Sequence, residues 1–231
     1  MIDLRRSEER GHSRTSWLHS RHSFSFAHFL DPAHMGFRDL RVLNDDRVAP
    51  GAGFGAHPHR DMEILTLVLD GELSHRDDAG HAGRIAAGGA QAMSAGTGVV
   101  HSERNASNTR PLHLLQIWIR PSAPGLAPRY AERPEARPGP GEARWVAAPD
   151  GRDGAFALGQ DATLEWIRPR AGDDLARALR PGRSAWLQLI AGEVELAGRR
   201  LAAGDGAAVT GESALEVRAT DDSELLLFDL A

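Results

Sequence analysis

Short apolar runs bounded by turn residues set the pattern of this chain. Residues 64–69 run into Asp70-Gly71, residues 112–119 stop before Pro121, residues 186–190 run into Ala191-Gly192, and residues 225–230 form a fourth run. Each has the length of a strand and not of a helix. A sustained 3.6-residue period is scarce; residues 173–180 fit one or two helical turns, or equally an exposed strand. The pattern predicts an all-β protein.

An internal echo refines this. LDGELSH followed by RIAAGGAQAM in the first half returns loosely as IAGEVEL followed by RRLAAGDGAAV in the second, so that Gly71-Glu72-Leu73 matches Gly192-Glu193-Val194 and Ala87-Gly88-Gly89 matches Ala203-Gly204-Asp205. Chance similarity in an Ala/Gly-rich chain is the competing reading. Duplication predicts two antiparallel β-barrels or jelly rolls in tandem. Seven of the thirteen prolines fall between Pro121 and Pro149, where hydrophobic periodicity fades. That places an N-terminal domain at residues 1–125, a proline-rich connection at 126–149 and a C-terminal domain at 150–231. A terminal segment crossing over to complete the opposite barrel also fits this division.

Composition narrows the chemistry. The 231 residues include 27 basic and 32 acidic side chains, a net charge of -5, and 41% apolar residues. These values fit a globular protein and argue against a nucleic-acid binder. All the basic residues are arginines spread along the whole length, which reads as genomic bias and not as a binding device. Without cysteine there is no disulfide, thiolate nucleophile or zinc finger, so any metal needs nitrogen and oxygen ligands. The charged opening MIDLRRSEERGHSR lacks an apolar stretch of signal-peptide length, and no window approaches the ~18 apolar residues of a membrane span, so a cytoplasmic and not a secreted protein is expected.

All eleven histidines lie between His12 and His113. His57-Pro58-His59 leads into the run at 64–69; in a strand, residues two apart share a face, so the two imidazoles converge with backbones about 7 Å apart. Pro58 cannot donate to a sheet ladder and so belongs at a sheet edge or strand start. His101-Ser102-Glu103 repeats the alternation with a carboxylate. Alone, His-x-His also fits two surface or core histidines. Together the clusters suit a first-row transition metal with open coordination positions.

The chain resembles the pirins, a branch of the bicupins that includes bacterial quercetin 2,3-dioxygenase-like proteins. The resemblance is carried by WLHSRHSFSFAHFLDPAHMGFRDLRVLNDD at 17–46, GFGAHPHRDMEILTLVLDG, MSAGTGVVHSE, and LHLLQIWIRP with the following PRY. Two departures stand out against the general cupin pattern: Gly71 lies one residue late after Glu63, and Gly96 replaces a usual proline. What the resemblance implies is one divalent transition-metal ion per chain, iron first and nickel, copper, cobalt or zinc as alternatives, held by His57, His59, His101 and Glu103 in the N-terminal cupin barrel. Glu103 is also the implied catalytic group, accepting the substrate proton. Glu63, a ligand in general cupins, is expected here to be structural, in a hydrogen bond or ion pair near the barrel wall, with coordination as the alternative.

The implied reaction is oxygenolytic cleavage of a flavonol such as quercetin, with flavonol and dioxygen as partners and carbon monoxide released. The alternative is a non-enzymatic, metal-dependent redox sensor or transcription-related interaction protein with a protein partner. Neither reading involves nucleic acid directly or a membrane. Counting along the repeat puts Ala178, Arg180, Val217 and Ala219 at the ligand positions of the second barrel, which would then hold no metal. His12, His19, His34, His75 and His81 have polar or turn-like neighbours and are expected at the surface. His22, His28 and His113 are expected to be structural, with the alternative that a ring N–H orients a ligand or acid. Phe24, Phe26, Phe29 and Trp17 are expected to pack the barrel, although an aromatic wall would suit a flat ligand, and Asn44, Asp45 and Asp46 read as turn residues.

Overall fold

The apolar runs become central strands of two seven-stranded sheets. In chain order the first strands are β1 (Ile2–Arg5), β2 (Gly11–Arg14), β3 (Leu18–His22), β4 (Leu40–Val48), β5 (Gly53–His59), β6 (Glu63–Asp70), β7 (Glu72–Asp77), β8 (Ala82–Ala86), β9 (Ala90–Ser94), β10 (Val99–Asn105), β11 (Leu112–Ile119) and β12 (Arg129–Arg133). There follow β13 (Glu142–Ala148), β14 (Phe156–Ala157), β15 (Ala162–Arg168), β16 (Asp174–Ala178), β17 (Ser184–Ala191), β18 (Glu193–Leu196), β19 (Arg199–Ala202), β20 (Gly206–Thr210), β21 (Ala214–Ala219) and β22 (Glu224–Leu230). The computed structural model describes every residue from Met1 to Ala231 and contains no α-helix, only two 3-10 turns. The all-β expectation holds, and residues 173–180 take the strand alternative as β16.

Two compact units result, Gly11–Ala136 and Met1–Arg10 together with Arg137–Ala231. The first contains the sheet β12-β9-β6-β11-β4-β3-β2 and the smaller sheet β5-β10-β7-β8; the second contains β1-β20-β17-β22-β15-β13-β14 and β16-β21-β18-β19. These limits differ from the sequence division. The stretch 126–149 is no mere connection: β12 extends the first unit beside β9, and β13 pairs with β15 in the second. Its prolines all fall outside those two strands, as a residue without an N–H requires, and so mimic a linker in composition. Residues 1–10 cross to the second unit, where β1 pairs with β20 and buried Asp205 accepts from Arg6 Nη1 at 2.7 Å and from the Ser7 N–H at 2.8 Å.

The duplication is visible in the turns. Gly71 and Gly192 follow β6 and β17 with φ of 84° and 79°, and a Cβ at either would meet a carbonyl oxygen, of Pro111 or Asp222, at 2.7 or 2.4 Å. Gly88 and Gly204 donate to Val68 O and Leu189 O at 2.8 and 2.9 Å. The same left-handed geometry, which favours glycine, therefore recurs at matched points of both barrels.

Within the first unit the strand interiors change character along their length. Val48, Val68, Leu73, Ile85, Leu112 and Leu114 form an apolar cluster at one end, each burial worth roughly 1.5–3 kcal/mol. Two residues further along the same strand faces come Asp46, Thr66, His75 and Gln116, all buried. The apolar end closes the barrel, and the polar end holds the histidines.

Candidate metal centre

β5 is an edge strand, as Pro58 requires, and it pairs with β10 so that His57 and His101 are direct partners. Three residues of β5 then span the two from His101 to Glu103, which puts a bulge at Gly55 and Ala56 opposite Ser102. Such an extra residue bends an edge strand and re-aims its side chains. The ring centroids of His57 and His101 are 4.5 Å apart, those of His57 and His59 4.7 Å, and those of His59 and His101 4.9 Å. One nitrogen from each of the three lies within 4.8 Å of the others.

Burial sets the charge state of two of these rings. It lowers His59 to a pKa of about 4, with help from His57, and His101 to about 3, with help from His57 and His59. Neutral imidazoles keep a lone pair for a Lewis acid. The Nδ1 of His57 faces the Gly55 carbonyl at 2.7 Å, so as the N–H tautomer it leaves Nε2 open. Both ring nitrogens of buried His101 lack a hydrogen-bond partner within the chain, which is costly unless something else engages them.

Glu103 is buried beside this trio. Burial raises its pKa, opposed by hydrogen bonds from Thr66, Gln116 and Gln91. Oε1 accepts from Gln91 Nε2 at 2.6 Å and lies 3.0 Å from the Thr66 hydroxyl, while Oε2 accepts from Gln116 Nε2 at 2.6 Å. A carboxylate is thus fixed by neutral donors, with lone pairs to spare. His57, His59 and Glu103 open onto a cavity of about 460 Å³ whose wall includes Trp17, Phe26, Phe54 and Trp118. The donor set of three imidazoles, with His59 and His101 held neutral by burial, and one anchored carboxylate fits a divalent first-row ion.

The other assignments divide. Glu63 is buried and accepts from Ser94 Oγ at 2.7 Å, as its structural reading requires. His22 is buried between Asn44 Oδ1 and Ser13 Oγ, each at 2.8 Å, and His113 pairs with Asp45 at 2.7 Å. His28 is exposed. His12 and His19 form an exposed edge-on pair, and His34 pairs with Asp31 at 2.7 Å. His75 is the correction: it is 1% exposed, because it shares the inward face of β7 with Leu73. Asn44 and Asp46 are likewise no turn residues; they are buried within β4 and line the cavity. Phe24 packs the core, but Phe26 and Trp17 reach the cavity wall. Thr66, Gln91 and Gln116 are signalled in the sequence only as polar interruptions of apolar strands.

In the second unit, Leu215 is the β21 residue that faces Arg177 of β16 as His101 faces His57, and Val217 stands where Glu103 does. Counting along the repeat therefore misses by one or two residues, because the loops that flank the matched turns, before β6 and β17 and after β9 and β20, differ in length. Arg177 forms a two-pronged ion pair with buried Glu165, at 2.8 and 3.0 Å, so this barrel carries a cation of its own.

Comparison with known proteins agrees with this architecture. Residues 3–119 match the family model described as Pirin, and residues 145–230 match the one described as Quercetinase C-terminal cupin domain. The chain belongs to the pirin family. It is a bicupin, and it is 46% identical over 231 residues, all of this chain and 99% of the relative, to a quercetin 2,3-dioxygenase of Escherichia coli strain K12. A pirin-like protein of Caulobacter vibrioides is 41% identical over 234 residues, covering both chains fully. The crystal structure of a bacterial pirin from E. coli in complex with nickel(II) superimposes with a TM-score of 0.95 at 46% identity, over 100% of this chain and 99% of that one. The His/Glu group of this pirin-family chain can hold a metal ion. No helix is long and apolar enough to cross a membrane.

Proposed function

We propose that this pirin-family protein is a metal-dependent dioxygenase that cleaves flavonols such as quercetin, with one divalent ion held by His57, His59, His101 and Glu103. The observation that carries the reading is the convergence of three imidazoles beside an anchored carboxylate at an aromatic-walled cavity of about 460 Å³. That volume suits a single small aromatic ligand. The names of the E. coli relatives point to the same substrate class and to a divalent metal.

When bound, the ion supplies Lewis-acid polarisation of the flavonol 3-oxygen and a template for dioxygen. The chain does the rest. Glu103 takes the 3-hydroxyl proton on a carboxylate oxygen; its burial raises its basicity, and Gln91 and Gln116 hold it in place during the transfer. Loss of that proton raises electron density on the ring for attack by dioxygen. Both oxygen atoms enter the product, carbon monoxide leaves, and Glu103 returns its proton to the depside. Trp17, Phe26, Phe54 and Trp118 orient the flat ring system and exclude water from it.

The test is turnover by metal-reconstituted protein under air. Quercetin absorbance should fall with one carbon monoxide released per molecule, and nothing should happen without oxygen. His59→Ala and Glu103→Gln should be inactive while melting as cooperatively as the parent. Full metal uptake without carbon monoxide would overturn the dioxygenase reading.

A further inference from the structure

We propose that the chain contains a second station for a divalent first-row transition-metal ion, formed by His75, His101 and Glu103. It rests on the four-residue site, with which it shares His101 and Glu103, and it brings in an imidazole that site does not use.

His75 on β7 is the direct cross-strand partner of Glu103 on β10. One ligand-capable atom from each of His75, His101 and Glu103 lies within 4.8 Å of the other two, and all three residues are buried. A core histidine normally satisfies both ring nitrogens. His75 does not: its Nδ1 has no hydrogen-bond partner, like both nitrogens of His101.

The other neighbours of His75 hold it as a ligand is held. Its Nε2 faces Asp77 Oδ2 at 3.5 Å, and Asp77 is itself fixed by the backbone N–H and ring Nδ1 of His81, each at 2.8 Å. A carboxylate behind one imidazole nitrogen orients the other toward a metal. The ring of Tyr130 lies nearly flat on His75, with centroids 4.4 Å apart and planes 15° apart, and fixes its tilt. Asp77 places a second carboxyl group against His75.

Sharing His101 and Glu103 means that one ion is held at a time. The first station offers one more ligand and wins when intact. The second takes the ion when His57 and His59 are withdrawn, so removing both should weaken binding without abolishing it.

The experiment is titration of metal-depleted full-length protein with cobalt(II), reading stoichiometry by equilibrium dialysis and ligand field by visible absorption. The parent should bind one ion. His57→Ala/His59→Ala should still bind one, with affinity lower by about 100-fold or more and an altered spectrum. Adding His75→Gln should abolish uptake; His75→Phe, which keeps a ring against Tyr130, should do the same and guards against a folding defect. A double variant that melts like the parent but binds nothing overturns the second station alone. So does one whose affinity is unchanged by loss of His75. A parent that takes up no ion overturns both stations.

Discussion

Replacing Gln116 by leucine tests how much of the metal affinity resides in the clamp on Glu103. Leucine nearly preserves volume and removes the donor to Oε2, a 2.6 Å hydrogen bond in a site where Gln116 is only 7% exposed. A hydrogen bond to a charged group contributes roughly 1.5–3 kcal/mol. Oε1 keeps Gln91 and Thr66, so about 2 kcal/mol of carboxylate stabilisation should go, equivalent to on the order of 30-fold in an equilibrium constant. The sign follows from linkage. Burial already raises the Glu103 pKa and Gln116 opposes that rise, so the variant's carboxyl should be higher still. An ion then competes with a proton for Glu103. Apparent affinity should fall most at low pH, with the deficit shrinking as pH rises and more protons released per ion bound at low pH. Calorimetric titration of nickel(II) in buffers of different ionisation enthalpy reads both quantities. An affinity within about threefold of the parent from about pH 6 to 8 would refute the clamp, since the lost hydrogen bond to a charged group should cost more.

Other outcomes are equally specific. His59 and His101 have folded pKa values of about 4 and about 3 against an ordinary histidine value of 6.5, so between pH 6.5 and those values the unfolded chain binds protons that the folded rings refuse. Metal-free protein should therefore lose stability as pH falls through that window, and His101→Gln should flatten the dependence in thermal melts; an unchanged slope would be the failure. Asp205→Ala should release residues 1–10, because Arg6 and Ser7 no longer have a carboxylate to donate to, at a cost of roughly 2–4 kcal/mol, seen as amide exchange confined first to that segment and β20. Arg177→Met should destabilise the second unit by up to about 3 kcal/mol by stranding buried Glu165, and Arg177→Met/Glu165→Leu should recover much of it; a double variant no better than the single one would count against the pair.

The strands were legible as turn-bounded apolar runs of strand length, and the His/Glu motifs because they rest on a period of two. Apolar runs in β6, β11, β17 and β22 announced buried strands, and His-x-His and His-x-Glu announced inward pairs. What escaped is the polar residue that faces inward. His75 has Ser74, Arg76 and Asp77 as neighbours, and only Leu73 two places earlier betrays its direction. Asn44-Asp45-Asp46 has the composition of a turn, yet β4 continues through it because Gln116 and Leu114 on β11 are the cross-strand partners of Asn44 and Asp46. Unit limits were hidden for a different reason: β1 and β12 join sheets far from their sequence neighbours, and local composition carries no trace of long-range pairing.

The crossing of residues 1–10 also bears on how the chain is made. Translation supplies β1 early, but its partner β20 only some two hundred residues later. A chain that folds as it emerges can close its histidine-bearing barrel while the leading strand still waits unpaired, and β22, which lies between β15 and β17, emerges after both of them. The histidine-bearing half can thus form first. The second unit, whose sheet joins β1 to β20 and β22 to β15 and β17, can close only afterwards.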